Sequence, residues 1–168
     1  ENEGRVLAVD LRPGRLALVR ESAERLGNTA VECLAADATA IPGVPGESFD
    51  RVLVDAPCSG LGTLARKPDA RWRRGPGEVA ELTTLQRRLL AEGAGLVAAG
   101  GTLTYSTCTI SRAENQEMAE WFLEEHSGKF EPAAGQVPGF DGSSQIQLFP
   151  DIHGCDGMFM AVFRRIDQ

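Results

Sequence analysis

Phe49-Asp50-Arg51-Val52-Leu53-Val54 runs directly into Asp55-Ala56-Pro57-Cys58-Ser59-Gly60. An apolar run of strand character ends here in a turn that carries a carboxylate and a thiol. The same grammar recurs downstream, where Gly100-Gly101-Thr102-Leu103-Thr104 leads into Tyr105-Ser106-Thr107-Cys108-Thr109. In open α/β sheets, ligands and chemistry gather at the carboxyl ends of parallel strands. Two thiols and one carboxylate are therefore expected to meet at one sheet edge.

The rest of the chain alternates strands and helices. Arg5 to Val9 reads as a short strand ending in Asp10, and Pro13 to Leu26 as a helix with Leu16, Val19 and Ala23 at helical spacing. A proline in the first turn is tolerated, and Gly27-Asn28 supplies the stop. Val31 to Ala35 gives a second strand leading to Asp37, and the strand before Asp55 follows a Pro/Gly loop. After a long loop through Pro76, Glu78 to Ala99 reads as a helix with Leu82, Leu85 and Leu89 on one face, closed by Gly100-Gly101. Ser111-Arg112-Ala113-Glu114 fits a capping box, so a helix is expected to reach about His126 with Met118, Trp121 and Phe122 inward. Phe130, Ile146 to Phe149 and Met158 to Phe163 read as short closing strands. Such alternation predicts an α/β fold with a mostly parallel sheet and an antiparallel strand near the C-terminus.

Composition bounds the possibilities. At 168 residues, 42% hydrophobic and 24% charged, the chain suits one globular domain. No apolar run approaches the ~20 residues that span a bilayer, and Glu1-Asn2-Glu3-Gly4 is unlike a signal peptide, which points to a cytoplasmic protein without membrane contact. Cys33, Cys58, Cys108 and Cys155 are 25, 50 and 47 residues apart, without the close pairs of zinc or redox motifs, so reduced thiols and no metal are expected. Cys33, between Val31 and Leu34, reads as a packing residue and Cys155 as a turn residue. His126 and His153 read as structural. A thiol hydrolase, the rival enzyme class, needs one of them beside Cys108.

The net charge of −7 opposes general affinity for nucleic acid, since phosphate binding rests on Lys and Arg. One stretch departs from that average: Arg66, Lys67, Arg71, Arg73 and Arg74 lie near a single Asp69, with Trp72 among them. A basic segment with an aromatic plane can track a phosphate chain and stack a base. The alternative is a solvated loop with Trp72 packed inward.

The Asp-Ala-Pro-Cys-Ser-Gly element at 55–60, the Tyr-Ser-Thr-Cys-Thr element at 105–109, and Ile146-Gln147-Leu148-Phe149-Pro150 through Gly157-Met158-Phe159-Met160-Ala161 resemble the NOP/Sun family of RNA (cytosine-5)-methyltransferases. Within it they are most similar to the bacterial RsmB/Sun branch, which acts on 16S ribosomal RNA. The resemblance covers nearly the whole chain. It implies a Rossmann-like class I S-adenosylmethionine-dependent methyltransferase fold, with residues 1–168 as part of the catalytic domain. It also implies roles: Cys108 as nucleophile, Cys58 as the cysteine that assists breakdown of the adduct, and Asp55 as the carboxylate on the target base. Asp10 matches the ribose-binding position for S-adenosyl-L-methionine and Asp37 the position near the adenine; Asp55 is placed with this cofactor set as well. Arg66, Lys67, Arg71 and Trp72 match a segment near the RNA.

The family's Ala-Pro-Gly-Gly-Lys-Thr-like loop has no counterpart before Asp10, so the resemblance implies a fragment that begins beyond the first strand and Gly-rich loop. Loss of that strand separates two half-sheets, and unpaired edges recruit other chains. The expectation is self-association, or closure of the second strand on the fourth. Transfer RNA as the substrate, and a non-catalytic, self-associating RNA-binding fragment, are the alternatives.

Overall fold

The computed structural model describes residues 2–69, 72, 75–135 and 142–167. The chain divides into two compact units, Glu1–Val44 and Pro45–Gln168.

The first unit is a β-α-β element: β1 (Val6–Asp10), α1 (Pro13–Arg25) and β2 (Val31–Ala35). The strands pair in parallel with Asp10 opposite Ala35. Pro13 sits in the first turn of α1, and Asn28 N–H closes the helix end on the Ala23 carbonyl at 2.8 Å. Of the three apolar residues expected to face inward, Leu16 is buried while Val19 is exposed. Two short strands offer a helix little surface beyond one turn.

The second unit holds β3 (Phe49–Asp55), a 3-10 turn at Leu61–Thr63, α2 (Pro76–Leu96) and β4 (Val97–Thr107). A second 3-10 turn at Arg112–Glu114 leads into α3 (Gln116–Glu125), then β5 (Phe130–Pro132), β6 (Gln145–Leu148), α4 (Pro150–His153) and β7 (Met158–Arg165). The sheet order is β3-β4-β7-β5, with β6 also on β7. Strands β3 and β4 are parallel, as the helix between them requires, whereas β7 runs antiparallel to β4, β5 and β6.

Helix α2 ends at Leu96, three residues short of the predicted Ala99, and β4 starts at once. The glycine pair does not end the helix. Gly100 takes φ +74 inside the strand, and the β3–β4 register shifts between Phe49 and Arg51, so the pair accommodates a bulge. The buried face of α2 is also rotated from the expected leucines: Gln86, Leu90 and Ala94 are buried, while Leu82, Leu85 and Leu89 are half-buried. Gly93 packs closely on the same side, where a Cβ would lie 3.0 Å from Val54 and 3.3 Å from Leu103.

The core of this unit lies between the sheet and helices α2 and α3. Leu103 and Tyr105 alternate inward along β4, and Phe159, Ala161 and Phe163 do so along β7. Phe122 on α3 is fully buried, with its ring 4.4 Å from that of Phe163 and 5.2 Å from that of Phe130. His126 stacks on the same ring at 4.4 Å and its Nδ1 lies 3.1 Å from the Phe122 carbonyl, a helix-end role. Truncation of Phe122 to Ala is expected to cost about 3–5 kcal/mol of stability, read from the urea midpoint at unchanged slope.

Candidate active site

Parallel pairing of β3 with β4 puts Asp55 opposite Ser106, at matching strand ends. Ser106 Oγ donates to Asp55 Oδ1 at 2.9 Å, and Ala56 N–H donates to the Ser106 carbonyl at 2.9 Å. The pairing thus carries on past the strands and brings the two following turns together. Cys58 Sγ and Cys108 Sγ are 3.4 Å apart, within sulfur hydrogen-bond distance. The three residues proposed from sequence for catalysis therefore cluster at one edge, with both thiols half-buried and the Asp55 residue exposed.

The two thiols are not equivalent. Either sulfur can donate across this contact, and the contact, reinforced by burial, pushes the Cys58 thiol far above the ordinary cysteine range. The same bond draws Cys108 down to about 6, against burial and the Asp55 charge, with Lys67 helping. Cys108 is thus the sulfur that ionises near neutral pH, and Cys58 holds the proton.

Both cysteine turns rest on a buried polar layer. Ser59 N–H and Oγ donate to the Glu114 carboxyl at 2.8 and 2.5 Å, and Gln86 Nε2 donates to Glu114 at 3.1 Å and to the Pro57 carbonyl at 2.9 Å. Asn115 accepts from Thr107 Oγ1 at 2.7 Å and donates to the Thr109 carbonyl at 2.9 Å and to Gln147 Oε1 at 2.8 Å. Tyr105 O–H donates to the Glu114 carbonyl at 2.7 Å, and burial, then Glu114 and Cys58, push its ionisation upward. The expected capping box is overturned here. Ser111 makes no side-chain cap, and Glu114 turns inward to Ser59 instead of back to the Ser111 N–H. The α-helix accordingly starts later, at Gln116.

A backbone contact closes the site from the other side. Gly62 N–H donates to the Cys108 carbonyl at 3.1 Å, and Gly157 N–H to the Gly62 carbonyl at 2.8 Å. A Cβ on Gly62 would stand 1.9 Å from the Gly157 oxygen, so both positions need glycine for close approach.

Asp10 ends β1, and its carboxylate accepts from Arg12 N–H at 2.7 Å and from Arg15 at 3.3 Å. Asp37 lies two residues beyond β2 and accepts from Thr39 N–H at 2.8 Å. Both carboxylates lie along the carboxyl edge of the β1–β2 pair and are fixed by their own turns. In the basic stretch, Arg66 is ion-paired with Asp156, and Lys67 is exposed. Trp72 is 84% exposed, which overturns the inward-packed alternative; Arg71, Arg73 and Arg74 lie outside the described residues. Cys33 is half-buried, 3.9 Å from the Leu16 carbonyl, and exposed Cys155 lies 3.4 Å from the Asp156 carbonyl. His153 Nδ1 accepts from Phe149 N–H at 2.9 Å.

Sequence reasoning gives Glu114 a helix-capping role and assigns none to Asn115, Gln86 or Gln147. One signal was available for Gln86, which interrupts an apolar row with Leu82 and Leu90 at four-residue spacing. Nothing local marks Asn115 or Gln147.

The fold and the strand-end site define a Rossmann-like methyltransferase domain. The crystal structure of PH0851 superposes with a TM-score of 0.88 at 34% identity, covering 96% of this chain and 37% of that one. NSun6 from Pyrococcus horikoshii, solved with SFG, gives 0.82 at 26% identity, over 99% and 43%. The profile of the 16S rRNA methyltransferase RsmB/F family matches residues 1–164, and the chain belongs to that family. It is 40% identical to the probable ribosomal RNA small subunit methyltransferase B of Bacillus subtilis, over 98% of this chain and 38% of that protein. The chain thus spans less than two-fifths of the length of that relative. Among the described residues, no helix is long and apolar enough to cross a membrane.

The asymmetry of the thiols is open to direct measurement. Iodoacetamide is expected to modify Cys108 with a pH midpoint near 6, because the thiolate accumulates above its pKa. In Cys58→Ala the donor is gone while burial and Asp55 still oppose ionisation, so the midpoint should rise to about 8.5 or above. Peptide mass spectrometry across a pH series reads both.

Proposed function

We propose that the full-length protein methylates carbon 5 of a cytosine in 16S ribosomal RNA, using S-adenosyl-L-methionine, through a covalent cysteine adduct. The observation that carries this reading is the contact between Cys58 and Cys108 at 3.4 Å, beside Asp55. In this reading residues 1–168 are part of one catalytic domain in the cytoplasm.

Carbon 5 of cytosine is a weak nucleophile until a thiolate adds to carbon 6. Cys108, the lower-pKa sulfur, makes that bond, splitting one hard step into easier ones. Asp55, oriented by Ser106, is placed to hydrogen-bond the polar edge of the base and hold its carbon 6 toward Cys108. Cys58 keeps its proton while it donates to the Cys108 thiolate. Once the Cys108 sulfur is bonded to carbon it is a poor acceptor, so the main force raising Cys58 disappears. Cys58 then gives its proton to solvent, and the resulting thiolate is placed to take the carbon 5 proton, after which the carbon–sulfur bond breaks and Cys108 leaves as thiolate.

Bound S-adenosyl-L-methionine supplies an electrophilic methyl group. Asp10 and Asp37 suit its ribose and adenine: carboxylates held at strand ends accept from hydroxyl and amino groups. The NSun6 relative solved with SFG supports a ligand of this family's kind. For the RNA, exposed Trp72 offers a stacking face and Lys67 a cation, with Arg71 assigned from sequence alone; Arg66 takes part if phosphate displaces Asp156. Self-association of the 168-residue chain is supported by β3, an outer strand of its sheet on which Leu53 is 67% exposed. Light scattering of that chain alone is expected to give a dimer or larger species, and a monomer at all concentrations removes this part.

The central test is covalent trapping with S-adenosyl-L-methionine and RNA carrying 5-fluorocytosine. A denaturant-resistant adduct is expected for wild type and Cys58→Ala, and none for Cys108→Ala. An adduct that requires Cys58 instead reverses the two roles. Trapping on transfer RNA but not on 16S RNA moves the substrate, and none on either returns both cysteines to packing roles.

A further inference from the structure

Four residues flank the two cysteines in sequence, and the side chains of three residues hold all four. On either side of Cys58, Pro57 offers its carbonyl to Gln86, and Ser59 gives its N–H and hydroxyl to Glu114. On either side of Cys108, the Thr107 hydroxyl and the Thr109 carbonyl both go to Asn115. Glu114 and Asn115 are joined by one peptide bond, and both are fully buried. Their side chains point to different cysteine turns, so the offset between those turns is set by the geometry of a single dipeptide. Two anchors fix it. Gln86 on α2 donates to Glu114, and Gln147 on β6, itself donating to the Met158 carbonyl at 3.0 Å, accepts from Asn115.

Burying a carboxyl group behind a loop is costlier than burying an amide or aliphatic side chain. A merely space-filling role would not call for Glu114, whose acceptors are matched to donors on the Cys58 turn. The dipeptide touches neither sulfur. It acts through Ser59, Thr107 and Thr109.

We propose that Glu114 and Asn115 are positioning residues that hold Cys58 and Cys108 within hydrogen-bonding distance, with Gln86 and Gln147 as their anchors. The proposal rests on the two-thiol reading above, but its test does not require methyl transfer to occur.

In the full-length protein, Asn115→Leu removes both bonds to the Cys108 turn and the bond to Gln147 at similar size and without adding charge. Among the described residues, the charged and titratable groups that act on the thiols are Asp55 from β3, Lys67 from beyond the first 3-10 turn and Tyr105 from β4, and none is altered. For folded Asn115→Leu, the pH midpoint of Cys108 alkylation is expected to move up by about one unit, equivalent to about tenfold less thiolate near pH 5. Adduct trapping near pH 5 should slow by about the same factor, with affinity for the RNA unchanged. If Asn115→Leu does not fold, Thr107→Val carries the comparison, since it removes one hydroxyl donor and keeps the β-branched shape.

On the Cys58 side, Glu114→Gln still accepts from Ser59 N–H, and its amide can donate to Ser59 Oγ, which passes its own proton to Thr109 Oγ1, 2.7 Å away. Glu114→Gln is therefore expected to recover most of what Glu114→Ala loses in alkylation and trapping. A wild-type alkylation profile in folded Asn115→Leu or Thr107→Val overturns the proposal, as does a Gln variant no better than the Ala variant. If wild-type protein traps no RNA, the cytosine reading fails while the alkylation profiles still decide the positioning roles.

Discussion

Everything at the site depends on the register between β3 and β4. Two strands that pair with Asp55 opposite Ser106 must deliver their following turns to the same place, and the Ala56 N–H to Ser106 carbonyl bond extends the pairing past the strand ends. A slip of one residue would turn every side chain to the other face. Burial of Leu103 and Tyr105 on one side of β4 forbids that slip, so the hydrophobic core fixes the spacing of two polar turns.

A hydrogen bond between thiols is weak in isolation, and its effect here comes from where it sits. Half-buried sulfurs receive little help from water, so a single donor decides which of the two carries the charge. Nearby groups then modulate that choice: Asp55 opposes a thiolate at Cys108 and Lys67 favours it. The polar layer behind the turns keeps the sulfurs close, and nearly every group in it is paired. Among the described residues the exception is Gln86 Oε1, the free end of an amide whose other end holds both Pro57 and Glu114.

Most of the scaffold was legible because local signals and tertiary demands agreed. The strands before Asp10, Asp37, Asp55 and Cys108 are short apolar runs that end in turn residues, and each is found within a few residues of its expected place. Legibility failed where a residue has two local uses. Ser111-Arg112-Ala113-Glu114 satisfies the pattern of a helix cap, but Ser59, 55 residues away in sequence, is the stronger claimant on the Glu114 carboxyl, and no local pattern contains that fact. The α2 face failed for a related reason: three leucines outweigh one glutamine in any periodicity, yet Gln86 is turned inward to partners distant in sequence, the Pro57 carbonyl and Glu114. Within the site, the thiols and Asp55 were readable from their strand-end positions, while the residues that hold them in place were not.

The contact between Gly62 and Gly157 has a consequence for how such a site drifts over time. It joins positions 95 residues apart through peptide groups alone, since neither glycine has a side chain to contribute. A contact of this kind is blind to the chemistry around it: neighbouring side chains can be exchanged freely without weakening it. It has no intermediate states either, because the smallest possible addition at Gly62 collides with backbone and cannot be relieved by a rotamer change. Variation is therefore graded almost everywhere around the two cysteine turns and all-or-none at these two points.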